Sequence, residues 1–157
     1  MLLNILLLAI LCSCNKAPEE QAEENQSLAN DNMAMIVGVE CTGQPNNYTL
    51  SVSIQSPDTG CDQYADWWEV FTPDSTLIYR RILAHSHVDE QPFTRSGGIV
   101  DIGALDFIYV RAHMNNTGYG SQVYSGNVSE GLVQDSLPIT YAIDLETTDP
   151  LPEDCAF

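Results

Sequence analysis

The side chains best suited to bind a metal ion in this sequence are those of its three histidines. Two of them form the triplet His85-Ser86-His87, and the third, His113, ends an apolar segment 26 residues later. In an extended chain, residues i and i+2 share a face and lie roughly 6.5–7 Å apart, so both imidazoles can reach one ion. A third imidazole would complete the ligand set of a catalytic zinc site. The spacing predicts a site for zinc or copper.

Two sulfur side chains would extend such a site for copper. Met114 follows His113 directly and offers a thioether, and Cys61 offers a thiolate if it is unpaired. The alternative is that the histidines are ordinary hydrogen-bonding residues of a sheet and its loops. Carboxylates form no comparable pattern, because 22 acidic residues among 157 make chance pairs inevitable. The sequence also has no Gly-x-Ser-x-Gly motif, so it favours a non-enzymatic protein over an enzyme.

The aromatic residues suggest a different kind of ligand. Trp67 or Trp68, together with several tyrosines, would form a platform on which sugars stack if the rings were exposed. Burial in the core is the other interpretation for most of these rings. Both a protein and a carbohydrate therefore stay open as partners. The tyrosines concerned are Tyr48, Tyr64, Tyr119 and Tyr124.

Short β-strands are the elements that must position these side chains. The alternation of apolar residues is clearest at Tyr48, Leu50, Val52 and Ile54. No long helical pattern occurs, and turn residues separate the apolar segments at short intervals. We therefore predict an all-β fold, an antiparallel β-sandwich of seven to nine strands. The predicted strands are 33–40, 48–55, 66–71, 75–83, 99–102, 106–114, 121–128 and 137–144.

One stretch of the chain indicates the type of sandwich. The segment IYVRA at 108–112, followed by NNTGYG at 115–120, resembles the penultimate strand and last hairpin of fibronectin-type domains. The resemblance implies an immunoglobulin-like arrangement of strands. Either Trp67 or Trp68 would then be the core aromatic residue, and the other would face outward, since neighbours on a strand point to opposite sides.

The N-terminus resembles the signal of a bacterial lipoprotein. Residues 1–11 are almost wholly apolar, but this run is too short to span a membrane. The following residues match a lipobox, with Leu11 three positions and Ser13 one position before Cys14. The resemblance implies that residues 1–13 are a cleaved signal peptide and that Cys14 is lipidated and anchors the protein to the membrane. Cys12 fits less well, because Leu11 is bulky for a cleavage position.

The remaining chain divides by composition. Residues 14–32 are predicted to be the lipidated Cys and an acidic flexible tether, 33–144 the β-sandwich domain, and 145–157 a loose acidic tail. Glu19 and Glu20 resemble the surface-export signal of Bacteroidetes lipoproteins, which implies the outer membrane or the cell surface. The net charge of −17 argues against nucleic acid as a partner, because phosphate binding requires clustered Lys and Arg.

Three cysteines follow the predicted anchor. Export from the cytoplasm permits a disulfide, but Cys41, Cys61 and Cys155 leave one thiol unpaired. A Cys41–Cys61 bond would be local, whereas a Cys41–Cys155 bond would tie the tail to the first strand. The sequence does not select the pair.

These features predict a lipid-anchored protein of the cell envelope. Its β-sandwich would act as a binding or structural module without enzymatic activity. The alternative is a copper- or zinc-binding protein that uses His85, His87 and His113.

Overall fold

The structure, a computed structural model, describes residues 32–156. The predicted signal peptide, Cys14 and nearly all of the tether lie outside these residues. Within them, no helix has the length and apolar character needed to cross a membrane. The elements are β1 (Met35–Gln44), β2 (Asn47–Gln55), β3 (Ala65–Phe71), β4 (Leu77–Ile82), β5 (Phe93–Val100), β6 (Ile108–Met114), β7 (Gly118–Tyr119), β8 (Gln122–Asn127), β9 (Gly131–Ser136) and a 3₁₀ helix (Ile143–Thr147).

The nine strands form two antiparallel sheets. One has three strands in the order β1-β2-β5, and the other has six, in the order β4-β3-β6-β8-β9 with β7 paired to β6. The core lies between these sheets. The predicted all-β antiparallel sandwich and its number of strands are therefore confirmed, while the immunoglobulin-like arrangement stays a prediction.

Alternation along the strands explains which side chains form the core. Leu50, Val52 and Ile54 on β2 are fully buried, as their spacing predicts. Trp68 on β3 is the core aromatic residue and packs near Tyr79. Trp67 points to the opposite face of the six-stranded sheet. It is nevertheless almost completely buried, so this outer face is covered as well.

The fifth strand begins six residues before the predicted segment 99–102. Arg95 and Ser96 pair with β2, so β5 runs from Phe93 through both glycines that the sequence suggested as a turn. A Cβ atom at Gly97 would collide with the ring of Tyr79. This glycine therefore permits close packing between the sheets.

The predicted final strand at 137–144 is wrong. The last strand is β9, which follows β8 after a turn in which the backbone N–H of Glu130 donates to the side chain of Asn127 at 2.9 Å. Strand β9 is an exposed edge on which only Leu132 is half-buried, so no alternation marks it. Residues 137–142 instead form turns that lead into the 3₁₀ helix.

Candidate functional site

Charged residues are buried on the outer face of the six-stranded sheet. Glu69 lies on β3, and the register places it directly beside Arg80 on β4 and Arg111 on β6. All three residues are buried. Strand pairing alone therefore puts one carboxylate between two guanidinium groups.

Short hydrogen bonds join these three side chains. The Oε2 atom of Glu69 accepts bonds from Nε and Nη2 of Arg80 at 2.9 and 2.5 Å, and Oε1 accepts one from Nε of Arg111 at 2.8 Å. Bonds between ionised partners are strong where water is excluded. One carboxylate cannot satisfy two guanidinium groups, however, so their remaining N–H groups need further acceptors.

The residues that follow β9, 137–156, supply those acceptors and are called the C-terminal segment. Nitrogen atoms of Arg80 and Arg111 donate five bonds of 2.6–3.0 Å to its backbone carbonyls. This segment was expected to be partly a strand and partly a loose tail, but it lies against the sheet as a third layer. The carbonyl groups belong to Tyr141, Ala142, Leu145, Thr148 and Pro150.

A disulfide fixes the end of this segment. It joins Cys61 to Cys155, 94 residues apart in sequence, and neither pairing that we considered from the sequence forms. Cys41 lies on β1 in the other sheet, has no disulfide partner among the described residues, and is half-buried, which raises the pKa of its thiol. Because Cys61 is oxidised, it offers no thiolate to a metal.

A cavity of about 430 Å³ opens beside the disulfide, between the sheet and the C-terminal segment. We call it the acidic cleft, because four carboxylates line it. None of its lining residues, all within the described part of the chain, is Lys or Arg. The carboxylates are Asp66, Glu146, Glu153 and Asp154, and Tyr64, Trp67, His113, Asn115, Leu151, Pro152 and the disulfide complete the wall.

His113 is held firmly in the wall of the acidic cleft. Its Nδ1 atom lies 2.6 Å from Oδ1 of Asp66, and its ring stacks on the indole of Trp67 with 3.6 Å between centroids. The Nε2 atom has no hydrogen-bond partner among residues 32–156, and Oε1 of Glu146 is 3.7 Å away. The ring is thus oriented by one carboxylate and leaves its second nitrogen beside another.

The cleft has a negative electrostatic environment. Burial raises the pKa of Asp66, although the hydrogen bond with His113 opposes this shift. The pKa of the Tyr64 phenol is raised first by burial and then by the charges of Asp66, Asp58 and Asp154. Several negative charges therefore act on the same small volume.

Trp67 contributes an edge to the cleft. Its indole is stacked on the His113 ring, and the guanidinium of Arg80 lies over the indole at 4.5 Å from the ring centroid. The Nε1 atom is buried and has no hydrogen-bond partner in the described structure. An indole covered in this way cannot act as a flat platform for a sugar.

The other aromatic residues of the expected sugar platform are also unsuited to it. Trp68, Tyr48, Tyr64 and Tyr119 are buried, and Tyr124 is half-buried against the core. Burial also raises the pKa of Tyr119 strongly. The alternative interpretation, core packing, describes these rings.

His85 and His87 lie in the loop between β4 and β5, not in a strand. Their ring centroids are 4.5 Å apart, and the buried ring of His87 stacks on Phe93 at 3.8 Å. Both ring nitrogens of His87 lack a hydrogen-bond partner within the described chain. Burial is the main cause that lowers the pKa of His87, which favours a neutral imidazole.

The structure does not group His113 with the other two histidines. Across residues 32–156, no set of three or more His, Cys, Asp and Glu side chains is arranged to hold a metal ion. Met114 is fully buried in the core, on the opposite face of β6 from His113. Only the pair His85 and His87 is brought together as the spacing suggested.

No sequence pattern pointed to Glu69, Glu146 or the Asp66–His113 pair as parts of a site. Glu69 was detectable in principle, because a carboxylate inside the apolar strand ADWWEVF needs a buried partner. The cleft has no such local signal. Its members come from four separate parts of the chain and meet only after the C-terminal segment has docked.

A comparison with curated proteins found a relative that is named as a lipoprotein. The chain is 38% identical over 82 residues to this protein of Halomicrobium mukohataei, named "Putative lipoprotein". The match covers 52% of this chain but only 40% of that protein, so the chain spans well under half of the relative's length. No family model matches the chain, and no solved structure matches it.

Proposed function

We propose that this chain is a lipid-anchored protein of the cell envelope, whose β-sandwich is a non-enzymatic binding module with its ligand site in the acidic cleft. The similarity to a protein named as a lipoprotein carries this proposal. The lipobox-like sequence ending at Cys14 supports it independently. The immunoglobulin-like topology and the location at the outer membrane or cell surface belong to the same proposal.

A binding role is favoured over a purely structural one by the state of the cleft. Here the wall of an open cavity holds a buried imidazole whose Nε2 atom makes no hydrogen bond within residues 32–156. A ligand that enters the cavity can therefore reach a hydrogen-bonding atom that the fold leaves open, as in many small-molecule sites.

Replacing Cys14 by Ser tests the anchor. In cells that express the full chain and are fed an alkyne-tagged fatty acid, the wild type should incorporate the tag and sediment with membranes. Cys14→Ser should lose the tag and move largely to the soluble fraction, because the thiol that receives the lipid is gone. Cys12→Ser is the matched control and should behave as wild type. Equal labelling of Cys14→Ser and wild type would refute the lipobox assignment.

A second candidate function is the binding of copper or zinc by His85 and His87. The observation that favours it is the close approach of the two rings together with the unpartnered nitrogens of His87. A neutral imidazole is the form that binds metal, and burial of His87 favours that form. His113 belongs to the cleft and is not included in this two-histidine site.

Calorimetric titration of the full chain with Cu²⁺ or Zn²⁺ tests this candidate. His85→Asn should weaken binding at least about tenfold, since it removes one of two imidazole ligands. His85 is exposed, so the variant should keep the wild-type unfolding temperature. Asp89→Asn, an exposed neighbour in the same loop, should bind as wild type. Equal affinities for wild type and His85→Asn would eliminate the site.

A further inference from the structure

We propose that the acidic cleft binds an organic cation through its ammonium or guanidinium group. This inference rests on the proposed function as a binding module and specifies its ligand class. Three properties of the cleft lead to it: the sign of its charge, the hydrogen-bonding character of its polar atoms, and the arrangement of its apolar wall.

The charge of the cleft selects a cationic ligand. Asp66, Glu146, Glu153 and Asp154 line it, and no Lys or Arg does. Asp66 is paired with His113, but Glu153 and Asp154 are exposed and make no ion pair with another described residue. Several negative charges around a small volume attract cations and repel anions. A phosphate or a carboxylic acid is therefore a poor ligand for this cleft.

The polar atoms of the cleft are mostly hydrogen-bond acceptors. Ionised carboxylates only accept hydrogen bonds, and the Nδ1 atom of His113 is already engaged by Asp66 at 2.6 Å. His113 is 7% exposed, and its Nε2 atom makes no hydrogen bond within the described residues. The matching ligand must bring several N–H donors, as an ammonium or a guanidinium does.

A metal ion fits the same site less well. Calcium needs six to eight oxygen ligands and magnesium a near-octahedral set, which must converge on one point. No group of three or more potential ligands in residues 32–156 converges in this way. An organic cation tolerates carboxylates that are more widely spaced, since its N–H groups point in several directions.

The apolar part of the wall suits the carbon stem of such a cation. Leu151 and Pro152 line the cleft together with the edge of Trp67. Alkyl stems of amines and of Lys or Arg side chains pack on surfaces of this kind while the charged end reaches carboxylates. A volume of about 430 Å³ lies within the usual range of small-ligand sites. A free polyamine and a basic side chain of a polypeptide share this chemistry.

Calorimetric titration of the full chain in detergent, at low salt, tests the proposal. The probes are spermidine and an N-acetylated, C-amidated lysine tripeptide. Neutralising the cleft with Glu146→Gln, Glu153→Gln and Asp154→Asn should weaken binding about tenfold, since each charge contributes a modest part of the attraction. Preference for spermidine would assign a free polyamine, and preference for the peptide would assign a basic side chain.

A matched variant separates site binding from general attraction to an acidic protein. Glu40→Gln, Asp89→Asn and Asp101→Asn also remove three charges, but these residues are exposed and lie outside the cleft. The affinity of this control variant for either probe should stay within about twofold of that of the wild type. Equal weakening in both triple variants, or no binding by the wild type, would overturn the proposal. The fatty-acid labelling of Cys14 has a separate readout, so failure of either experiment leaves the other interpretable.

Discussion

Glu69→Gln is expected to lower the free energy of unfolding by about 3–5 kcal/mol, because it leaves two buried guanidinium groups without their shared counter-charge. The carboxylate is fully buried and accepts three hydrogen bonds from Arg80 and Arg111. Glutamine has nearly the same shape, so the loss reports the charge and not a cavity. Denaturant unfolding of the full chain, followed by tryptophan fluorescence, measures the change.

Glu90→Gln is the control for this prediction. Glu90 pairs with Arg95 at 2.6 Å, but its side chain is 60% exposed, so the pair is screened by water. Its removal should change the free energy of unfolding far less than Glu69→Gln does, because exposed ion pairs contribute little to stability. If the two variants lost the same small amount, the carbonyl groups of the C-terminal segment would be sufficient to satisfy both arginines.

Removal of the disulfide is expected to have an effect of similar size. The variant with Cys61→Ala and Cys155→Ala should lose about 2–5 kcal/mol, because a bond across 94 residues strongly restricts the unfolded chain. Its unfolding midpoint should no longer respond to dithiothreitol, whereas that of the wild type should fall. The same denaturant titration, with and without reductant, measures both results.

Cys41→Ser separates the bonded cysteines from the free thiol. Cys41 is half-buried on β1, far in the fold from the C-terminal segment, so this variant should keep the reductant response of the wild type. Loss of that response in Cys41→Ser would mean that Cys41 takes part in the stabilising disulfide, contrary to the pairing described above.

The sequence predicted those parts of the fold in which one face of a strand is buried. Strand β2 places Leu50, Val52 and Ile54 in the core at alternate positions, which is the pattern that sequence analysis detects best. Strand β9 lacks this signal, because it is an exposed edge held by backbone hydrogen bonds to β8. Alternation at 137–144 was misleading, since the backbone carbonyls of Tyr141 and Ala142 bind Arg111 instead of a neighbouring strand.

The candidate site was less predictable for a different reason. Glu69 meets Arg80 and Arg111 across separations of 11 and 42 residues, and only the strand register decides that these side chains share a face. Similarly, His113 and Glu146 approach each other because the C-terminal segment folds back over the sheet. His85-Ser86-His87 is a strong local pattern for metal binding. Local spacing, however, carries no information on whether a distant third ligand such as His113 lies close to it in the fold.

The third layer also determines the order in which this domain can mature. A chain is synthesised from its N-terminus, so the strands of both sheets are made before residues 141–150 become available. Until then, Arg80 and Arg111 lack five of their acceptors, and Cys61 has no partner. Docking of the segment and closure of the disulfide therefore follow the synthesis of every strand in the two sheets, and the acidic cleft forms only when the segment that lines it has docked.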